Sequence, residues 1–396
     1  METGQIVCDV LIKNARIIDP SSGVDAVMDI AVTGDVITSV AADIDASAED
    51  IFDASGRIAV PGIIDLHAHA YPEVHGGLEP DIIGVLSGVT TVFDGGSAGA
   101  VTFPYYLQHH LSKSKTDTYA FLHVNPAGQL TLPEIWDKSR ITVNPQAAVE
   151  TIKNNSRYIK GLKTRVIGPL IEHWGLEAVD MALDICNRCD VPFMVHIGLD
   201  PVDTTPDKDV EAFTLYLLER LRPGDIIAHA FTGKRGKLFR EDGLFDDVVA
   251  KAVERGVVLD ASVGRTNFLW ESLRLARTRG FAPQVLSTDL TVFGMKDALN
   301  IMGLTLSKMV AFGYTLKEVL EWVTAAPARV MNMPDKGKLT PGLCADISIL
   351  DLVPGDYGFF DKFGGTSIRG DLFVAPYGAF RKGKFIKAEV TGLPAH

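Results

Sequence analysis

The chain has 396 residues, of which 46% are hydrophobic and 22% charged, and its formal net charge is −12. This length can bury a large core with an accessory domain, and an acidic balance without any basic run argues against a nucleic-acid partner. A small-molecule substrate is the expected partner. Four scattered cysteines are too few for a disulfide framework, and no run approaches the roughly 18 apolar residues of a membrane span. Composition therefore predicts no membrane partner and a cytoplasmic location.

The central part of the chain differs in pattern from its two ends. Residues 1–60 and 335–396 carry short runs with a period of two, bounded by turn residues, which is typical of strands. Between them, residues 61–334 alternate apolar runs with amphipathic stretches at helical spacing. The predicted fold class is therefore α/β, with a (β/α)8 TIM barrel over 61–334 and a small β-sandwich domain that both termini form together.

Eight apolar runs in the central segment, rich in β-branched residues, are typical of buried parallel strands. They are Ile63–His69, Val89–Asp94, Tyr119–Val124, Ile159–Arg165, Pro192–Ile197, Asp225–Ala230, Val257–Ala261 and Gln284–Asp289. A strand-and-helix unit of roughly 30 residues, repeated eight times, has the size expected of a TIM barrel.

The first of these runs ends in two histidines one residue apart. Side chains alternate faces along a strand, so His67 and His69 point the same way and can bind one metal ion. The alternative interpretation is that both rings are hydrogen-bonded structural residues. Further ligands at the ends of other strands would favour the metal.

Other ligand-type residues stand near the carboxyl ends of later runs, where a TIM barrel assembles its active site. They are Lys163 on the fourth run, His196 on the fifth, His229 on the sixth and Asp289 on the eighth. Burying polar residues at equivalent ends of several strands costs free energy unless they have partners, which favours a metal site. Lys163 has two interpretations. It either pairs with a carboxylate, or it reacts with carbon dioxide to form N6-carboxylysine, whose oxygens can bridge two metal ions.

The whole set resembles the amidohydrolase superfamily. The matching ligand pattern is Asp65-x-His67-x-His69, Lys163, His196, His229 and Asp289, and segments 14–19, 324–329 and 337–351 resemble the N-terminal strand, the last barrel helix and the return strand. The resemblance covers nearly the whole chain. It implies two divalent metal ions, most often zinc, with His67, His69 and Asp289 at the more buried ion, His196 and His229 at the outer ion, and carboxylated Lys163 between them.

The resemblance also implies a reaction. Two metal ions that share a water molecule lower its pKa towards neutrality, Asp289 acts first as general base and then as general acid, and the outer ion polarises the scissile carbonyl. The expected reaction is hydrolysis of an amide or ester bond in a small molecule. A non-catalytic scaffold homologue is the alternative, and it should have lost ligands, whereas every expected ligand is present here.

Segments 161–165, 286–290 and 306–309 resemble a subgroup of amidohydrolases and deacetylases that act on acyl carboxylates. Dihydroorotases and hydantoinases usually carry an arginine or a similar polar group soon after the second histidine, where this chain has Ala70. A cyclic amide is therefore the second candidate substrate. Members of the deacetylase subgroup tend to carry Gly-His-Gly after the seventh strand, and Val263 takes the place of that histidine. Substrate contacts there are expected to differ.

Five residues are candidates for contacts with the substrate. Arg165 faces the same side of its strand as the candidate lysine, and it suits a substrate carboxylate or, equally, an acidic residue of the protein. Gly96 and Ser97 follow the second run, in a loop whose backbone N–H groups can hold substrate or which is only a flexible turn. His123 ends the third run and Asn267 follows the seventh. Because such barrels often assemble, a homo-oligomer is expected.

Overall fold

The computed structural model describes residues 6–137 and 143–393, and within them the chain forms fifteen strands and twelve α-helices. The strands are β1 (Ile6–Asp19), β2 (Val24–Thr33), β3 (Val36–Ala41), β4 (Ala46–Asp53), β5 (Ile58–Pro61), β6 (Ile63–Ala68), β7 (Val89–Asp94), β8 (Asp117–His123), β9 (Ile159–Arg165), β10 (Phe193–His196), β11 (Ile226–Ala228), β12 (Val258–Leu259), β13 (Ile347–Phe360), β14 (Ser367–Arg381) and β15 (Lys384–Lys387).

The helices are α1 (Pro80–Ile83), α2 (Phe103–Tyr106), α3 (Pro145–Asn154), α4 (Gly168–Trp174), α5 (Glu177–Cys189), α6 (Asp207–Arg220), α7 (Asp246–Glu254), α8 (Trp270–Thr278), α9 (Val292–Lys296), α10 (Met302–Phe312), α11 (Leu316–Glu321) and α12 (Ala325–Val330). A 3-10 turn covers Val85–Ser87 and a π-helical turn covers Leu107–Leu111. No helix in the described part of the chain is long and apolar enough to cross a membrane.

Strands β6 to β12 form one parallel sheet in chain order. Every residue of β6 and β7 is buried, which is the pattern of strands covered on both faces. Seven of the eight predicted runs form these strands, and amphipathic stretches between them form helices such as α5, α6 and α7. Because the strands are parallel, the carboxyl ends of all seven lie at the same end of the sheet.

The eighth predicted run, which ends in Asp289, is not a regular strand. Val285 forms one isolated parallel bridge to the segment after β12, and the Asp289 N–H donates to the carbonyl oxygen of His67 in β6 at 2.6 Å. The Thr288 N–H donates to the Asp65 carboxylate at 3.1 Å instead of to a backbone carbonyl, and φ is 50° at Asp289. A side-chain acceptor and a left-handed residue thus interrupt the ladder, although the run still bonds to both edges of the sheet.

Strands from both termini share a second, eight-stranded sheet in the order β15-β14-β13-β5-β1-β2-β3, with β4 also paired to β1. The two ends of the chain meet where β5 pairs antiparallel with β13, for example Ala59 with Ile349. Both residues are buried in a cluster with Ile17 and Phe380. This sheet fits the predicted β-sandwich, and the domain boundaries at 60/61 and 334/335 stay predictions.

Candidate metal centre and substrate cavity

Three of the predicted ligands meet at the carboxyl end of the parallel sheet. His67 near the end of β6, His229 directly after β11 and Asp289 each offer a donor atom, and these three atoms lie within 4.8 Å of one another. His67 Nε2 is 3.6 Å from Asp289 Oδ1, and His229 Nε2 is 3.8 Å from Asp289 Oδ2. Two imidazoles and a carboxylate are typical donors for zinc.

Two further predicted histidines border the same carboxylate. His69 Nε2 lies 3.2 Å from Asp289 Oδ1. The His196 ring, at the end of β10, packs edge-on against the His229 ring, with 4.3 Å between the ring centroids. The fold therefore brings all four histidines and the carboxylate together, although they come from the ends of three different strands and from the irregular eighth run.

Lys163 on β9 lies beside this cluster and is completely buried. Its Nζ is 2.9 Å from His67 Nε2 and donates to the Gly95 carbonyl oxygen at 2.7 Å. Burial lowers the pKa of Lys163 to about 8, even though the charge of Asp289 acts in the opposite direction. The hydrogen bonds of this lysine thus go to an imidazole and a carbonyl, not to a carboxylate.

Ser262, which follows β12, orients two of the histidines. Its Oγ donates to Asp260 Oδ2 at 2.5 Å, which leaves the hydroxyl oxygen free to accept from His67 Nδ1 at 2.8 Å. Its carbonyl oxygen accepts from His229 Nδ1 at 2.7 Å. With a proton on each Nδ1, each Nε2 keeps its lone pair and faces Asp289. Ser262 was not among the predicted site residues, and its position directly after the seventh run is the one feature of the sequence that indicates it.

Three residues of the site have left-handed backbone although none of them is glycine. The φ angle is 62° at His229, 37° at Ser262 and 50° at Asp289. Each such conformation costs about 1–3 kcal/mol and persists where the surrounding structure imposes it, often at functional sites. The strain supports a functional interpretation of the cluster.

Two observations indicate that a metal ion fits these residues. The buried Nε2 of His229 has no hydrogen-bond partner among the described residues, which is costly unless its lone pair has another use. Burial lowers the pKa of His67 and of His196 well below the ordinary value, so both rings are neutral. Burial alone would raise the pKa of Asp289, but His229 and His69 hold it below the ordinary value. Neutral imidazoles and an ionised carboxylate are the protonation states that metal ligands need.

The loop after β7 packs directly against the cluster. Gly96 has a φ of 89°, and a Cβ there would lie 2.5 Å from Lys163 Cγ, so glycine is required. The N–H groups of Gly96 and Ser97 donate to Asp94 Oδ1 at 3.1 and 2.7 Å, and Ser97 Oγ is bonded to His69 Nδ1 at 2.9 Å. The loop therefore orients the His69 ring, and the N–H groups expected to hold substrate are already bonded within the protein.

Arg165, at the end of β9, forms an ion pair with a buried glutamate. Its Nη1 donates to both carboxylate oxygens of Glu134 at 3.0 Å. Burial alone would raise the pKa of Glu134, but Arg165 lowers it to about 2. The completely buried His123 faces the same carboxylate, with Nε2 at 3.5 Å, and its Nδ1 accepts from the Asn125 N–H. His123 therefore does not line the cavity that opens beside the four histidines and Asp289, whereas Arg165 pairs with an acidic residue and also lines that cavity.

A cavity of about 210 Å³ opens onto the ligand cluster. Its walls include His69, His196, Asp289, Arg165, Arg265 and Asn267. Asn267 Nδ2 donates to Asp289 Oδ2 at 3.1 Å. Val263, at the position where the resemblance implies a histidine, is completely buried and does not reach the cavity. Arg265 was not among the predicted contacts, because it lies in a loop without periodicity.

A parallel sheet with a cluster of histidines and a carboxylate at its carboxyl end is the arrangement typical of an enzyme active site. The chain belongs to the amidohydrolase family, whose model matches residues 58–386. A protein named deacetylase from Agrobacterium fabrum is 31% identical over 360 residues, which cover 88% of this chain and 84% of that protein. Family and relative identify a hydrolase that acts on C–N bonds, which confirms the superfamily resemblance found in the sequence.

Solved structures support the same fold. An adenine deaminase superposes with a TM-score of 0.85 at 26% identity, covering 96% of this chain and 100% of that one. A dihydroorotase superposes with a TM-score of 0.82 at 27% identity, covering 96% and 99%. Both likenesses span the parallel sheet and the terminal sheet together, which confirms a mixed α/β fold of the amidohydrolase type.

Proposed function

We propose that the protein is a binuclear metal-dependent hydrolase that removes an acyl group from a small N-acyl or O-acyl carboxylate. The observation that carries the proposal is the convergence of three histidines on one carboxylate: His67, His69 and His229 lie 3.6, 3.2 and 3.8 Å from Asp289. The 31% identical relative named deacetylase supports acyl cleavage. Two arginines in the cavity wall suit a substrate with a carboxylate.

Two divalent ions, zinc by preference, fit this donor set. By position, the more buried ion would be held by His67, His69 and Asp289, and the outer ion by His196 and His229. When bound, such ions polarise a carbonyl oxygen and acidify water. An unmodified Lys163 ammonium, 2.9 Å from His67 Nε2, would repel a cation. N6-carboxylysine at this position would instead offer two oxygen donors to the metal ions.

Asp289 is the proposed proton carrier. Asn267 Nδ2 donates to its Oδ2 at 3.1 Å and His69 Nε2 lies 3.2 Å from its Oδ1, so the carboxylate is held in one orientation in the cavity wall. There it can accept a proton from the attacking water and deliver it to the leaving nitrogen. The bond between the acyl carbon and that nitrogen breaks, and the products are a carboxylate and an amine.

We further propose that β6 to β12 and the eighth run close a (β/α)8 TIM barrel over residues 61–334. In support, Asp289 donates to His67 on one edge at 2.6 Å, and on the other edge the Ala261 N–H donates to the Val285 carbonyl oxygen at 3.1 Å. Barrels of this type carry their active sites at the carboxyl ends of the strands, where the ligand cluster lies. The homo-oligomer stays a prediction.

The test uses protein purified without chelator. Metal analysis should find two divalent ions per chain, and N-acetyl amino acids should release acetate in a reaction that chelation abolishes and Zn²⁺ restores. Asp289→Asn should lower turnover by roughly 10²- to 10⁴-fold, whereas Asp209→Asn on the exposed face of α6 should not. Less than one metal ion per chain, together with full activity of Asp289→Asn, would contradict the proposal.

The same assay includes dihydroorotate and hydantoin. The similarity to a dihydroorotase at a TM-score of 0.82 makes a cyclic amide the second candidate substrate. Faster turnover of either ring than of every acyl carboxylate in the panel would assign the protein to the cyclic amidohydrolases.

The lysine bridge has a separate test. Lys163→Ala should lose metal and activity, and short carboxylates such as acetate should restore part of both by taking the place of the carbamate. Lys160→Ala is the matched control, because Lys160 lies on the same strand and donates to the Ser156 carbonyl oxygen outside the cluster. Two metal ions and full activity in Lys163→Ala would rule the bridge out.

A further inference from the structure

Arg265 lies in the cavity wall, between two residues that touch the catalytic carboxylate. Gly264 approaches Asp289 so closely that a Cβ on this glycine would lie 2.4 Å from Oδ2. Two positions after Arg265, Asn267 Nδ2 donates to the same oxygen at 3.1 Å. The backbone of Arg265 is therefore held beside Asp289, and its guanidinium borders the cavity in which a substrate must lie.

The guanidinium of Arg265 is oriented but not saturated with hydrogen bonds. Its Nε donates to Asp297 Oδ2, and its Cζ lies 4.0 Å from the centroid of the Phe363 ring. Within the described residues, neither Nη group has a hydrogen-bond acceptor, and 34% of the side chain is exposed. The free edge of a planar guanidinium matches the geometry of a carboxylate.

Phe363 comes from a distant part of the chain, the tip of the hairpin that β13 and β14 form. Its N–H donates to the Arg265 carbonyl oxygen at 2.8 Å. Asp361 holds the tip in place, since Oδ1 accepts from the Thr366 N–H at 3.0 Å and Oδ2 accepts from the Trp270 N–H at 3.4 Å. The hairpin tip is thereby bonded to the loop after β12, and its aromatic ring restricts where the guanidinium can lie.

The other arginine of the cavity wall is more fully neutralised. Glu134, which is completely buried at its side chain, accepts two bonds from Arg165, whose own side chain is 17% exposed. Asp297, beside Arg265, is 27% exposed, so water weakens its attraction for the guanidinium. Arg265 therefore retains more of its positive charge for a ligand.

We infer that Arg265 binds an anionic group of the substrate and that Phe363 positions the guanidinium for this contact. The inference rests on the proposed acyl cleavage and assigns to Arg265 the contact with the free carboxylate of the substrate, for example of an N-acetyl amino acid. A neutral carboxamide of the same shape offers no charge for the guanidinium to bind. The C-terminal hairpin is then part of the substrate site.

The test compares N-acetyl amino acids with their carboxamides in the zinc-loaded enzyme. Arg265→Met should raise KM for the acids by roughly 10- to 100-fold, because one charge-assisted contact is lost, and should leave KM for the carboxamides unchanged. The matched control is Arg277→Met. Arg277 also lies over a ring, 4.8 Å from the Tyr314 centroid, but it does not line the cavity. Equal effects of Arg265→Met on acids and carboxamides would overturn the inference.

Phe363 is a positioning residue, so its test separates KM from kcat. Phe363→Ala should raise KM for the acids and retain kcat, and Phe363→Tyr should restore the wild-type KM because it keeps the ring. An unchanged KM in Phe363→Ala would refute the positioning role. So would an equal loss of kcat on acids and carboxamides, because that result indicates a structural role alone.

A binding measurement separates this inference from the proposed function. Zinc-loaded Asp289→Asn needs no turnover, and calorimetry should find that it binds N-acetyl amino acids more tightly than their carboxamides, with the preference lost on adding Arg265→Met. If acids bind in this way but nothing is hydrolysed by the wild type, the proposed function fails alone. If compounds are hydrolysed or bound without preference for the acids, the inference fails.

Discussion

Replacing Lys308 with methionine measures how much the burial of this lysine beside a carbonyl group lowers the free energy of unfolding. Lys308 lies within α10, is completely buried, and donates from Nζ to the carbonyl oxygen of Leu299. Burial lowers its pKa from 10.5 to about 7, and the charge of Asp361 offsets part of the effect. The charged form of this lysine is therefore much less stable in the folded protein than in the unfolded chain.

The size and sign of the effect follow from these two pKa values. Above pH 10.5 the amine of Lys308 is neutral in both states and has no such cost. As the pH falls from 10.5 to 7, the unfolded chain gains a proton that the folded protein does not. The free energy of unfolding therefore drops by about 1.4 kcal/mol per pH unit, to a total of about 5 kcal/mol at pH 7. Methionine removes this cost but leaves a buried carbonyl oxygen unbonded, at about 1–3 kcal/mol. The expected net gain at pH 7 is about 2–4 kcal/mol.

The assay is urea unfolding of the wild type and Lys308→Met at pH 7 and pH 9, at one zinc concentration. The advantage of the variant should be about 3 kcal/mol larger at pH 7 than at pH 9. Lys251→Met, at an exposed position of α7, is the control and should give a difference that does not depend on pH. A Lys308→Met difference that is the same at both pH values, or a loss of stability at pH 7, would refute the reasoning.

Ser262→Ala should weaken zinc binding by roughly 10- to 100-fold in a chelator competition, because His67 loses the hydroxyl that orients its ring; unchanged affinity would contradict that role. Glu134→Gln should lower the free energy of unfolding by about 3 kcal/mol at pH 7, because the arginine partner of Glu134 holds the pKa of this carboxyl at about 2 despite burial. This stabilisation is present above pH 4.5, so the difference from the wild type in urea unfolding should shrink as the pH falls towards 2. His110→Phe should speed hydrogen exchange in the loop 70–79, because the His110 ring bonds two glutamates of that loop at 2.9 and 3.0 Å; unaltered exchange there would show that these two bonds do not stabilise the loop.

The parallel strands and the candidate ligand residues at their ends could be predicted because the rules that identify them are local. Alternation along one strand is enough to place His67 and His69 on the same face. A buried run followed by a ligand-type residue is also visible in a few consecutive positions, as at His196 and His229. The irregular path of the eighth run was not predicted, because it depends on Asp65, which lies on another strand and accepts from Thr288.

The sequence left two interpretations of Arg165 open, and the contact with Glu134 could not be read from it. Glu134 lies 31 residues before Arg165, in a segment without a periodic pattern. The hydrogen bonds of Gly96 and Ser97 could not be predicted from the sequence either, because the bonds from their N–H groups to Asp94 depend on how the loop folds back on itself. A sequence motif identifies a candidate residue, but the partner of its hydrogen bonds depends on the folded structure.

By itself, the sequence determined the class of the protein, through its resemblance to the amidohydrolases, and the parallel strands with the residues at their carboxyl ends, because strand periodicity is a property of short segments. Only the tertiary structure decided that Ser262 orients two histidines and that Phe363 lies against Arg265. Phe363 and Arg265 are 98 positions apart, and the packing of the C-terminal hairpin against the loop after β12 is what brings them together. Such contacts form only when the whole chain has folded.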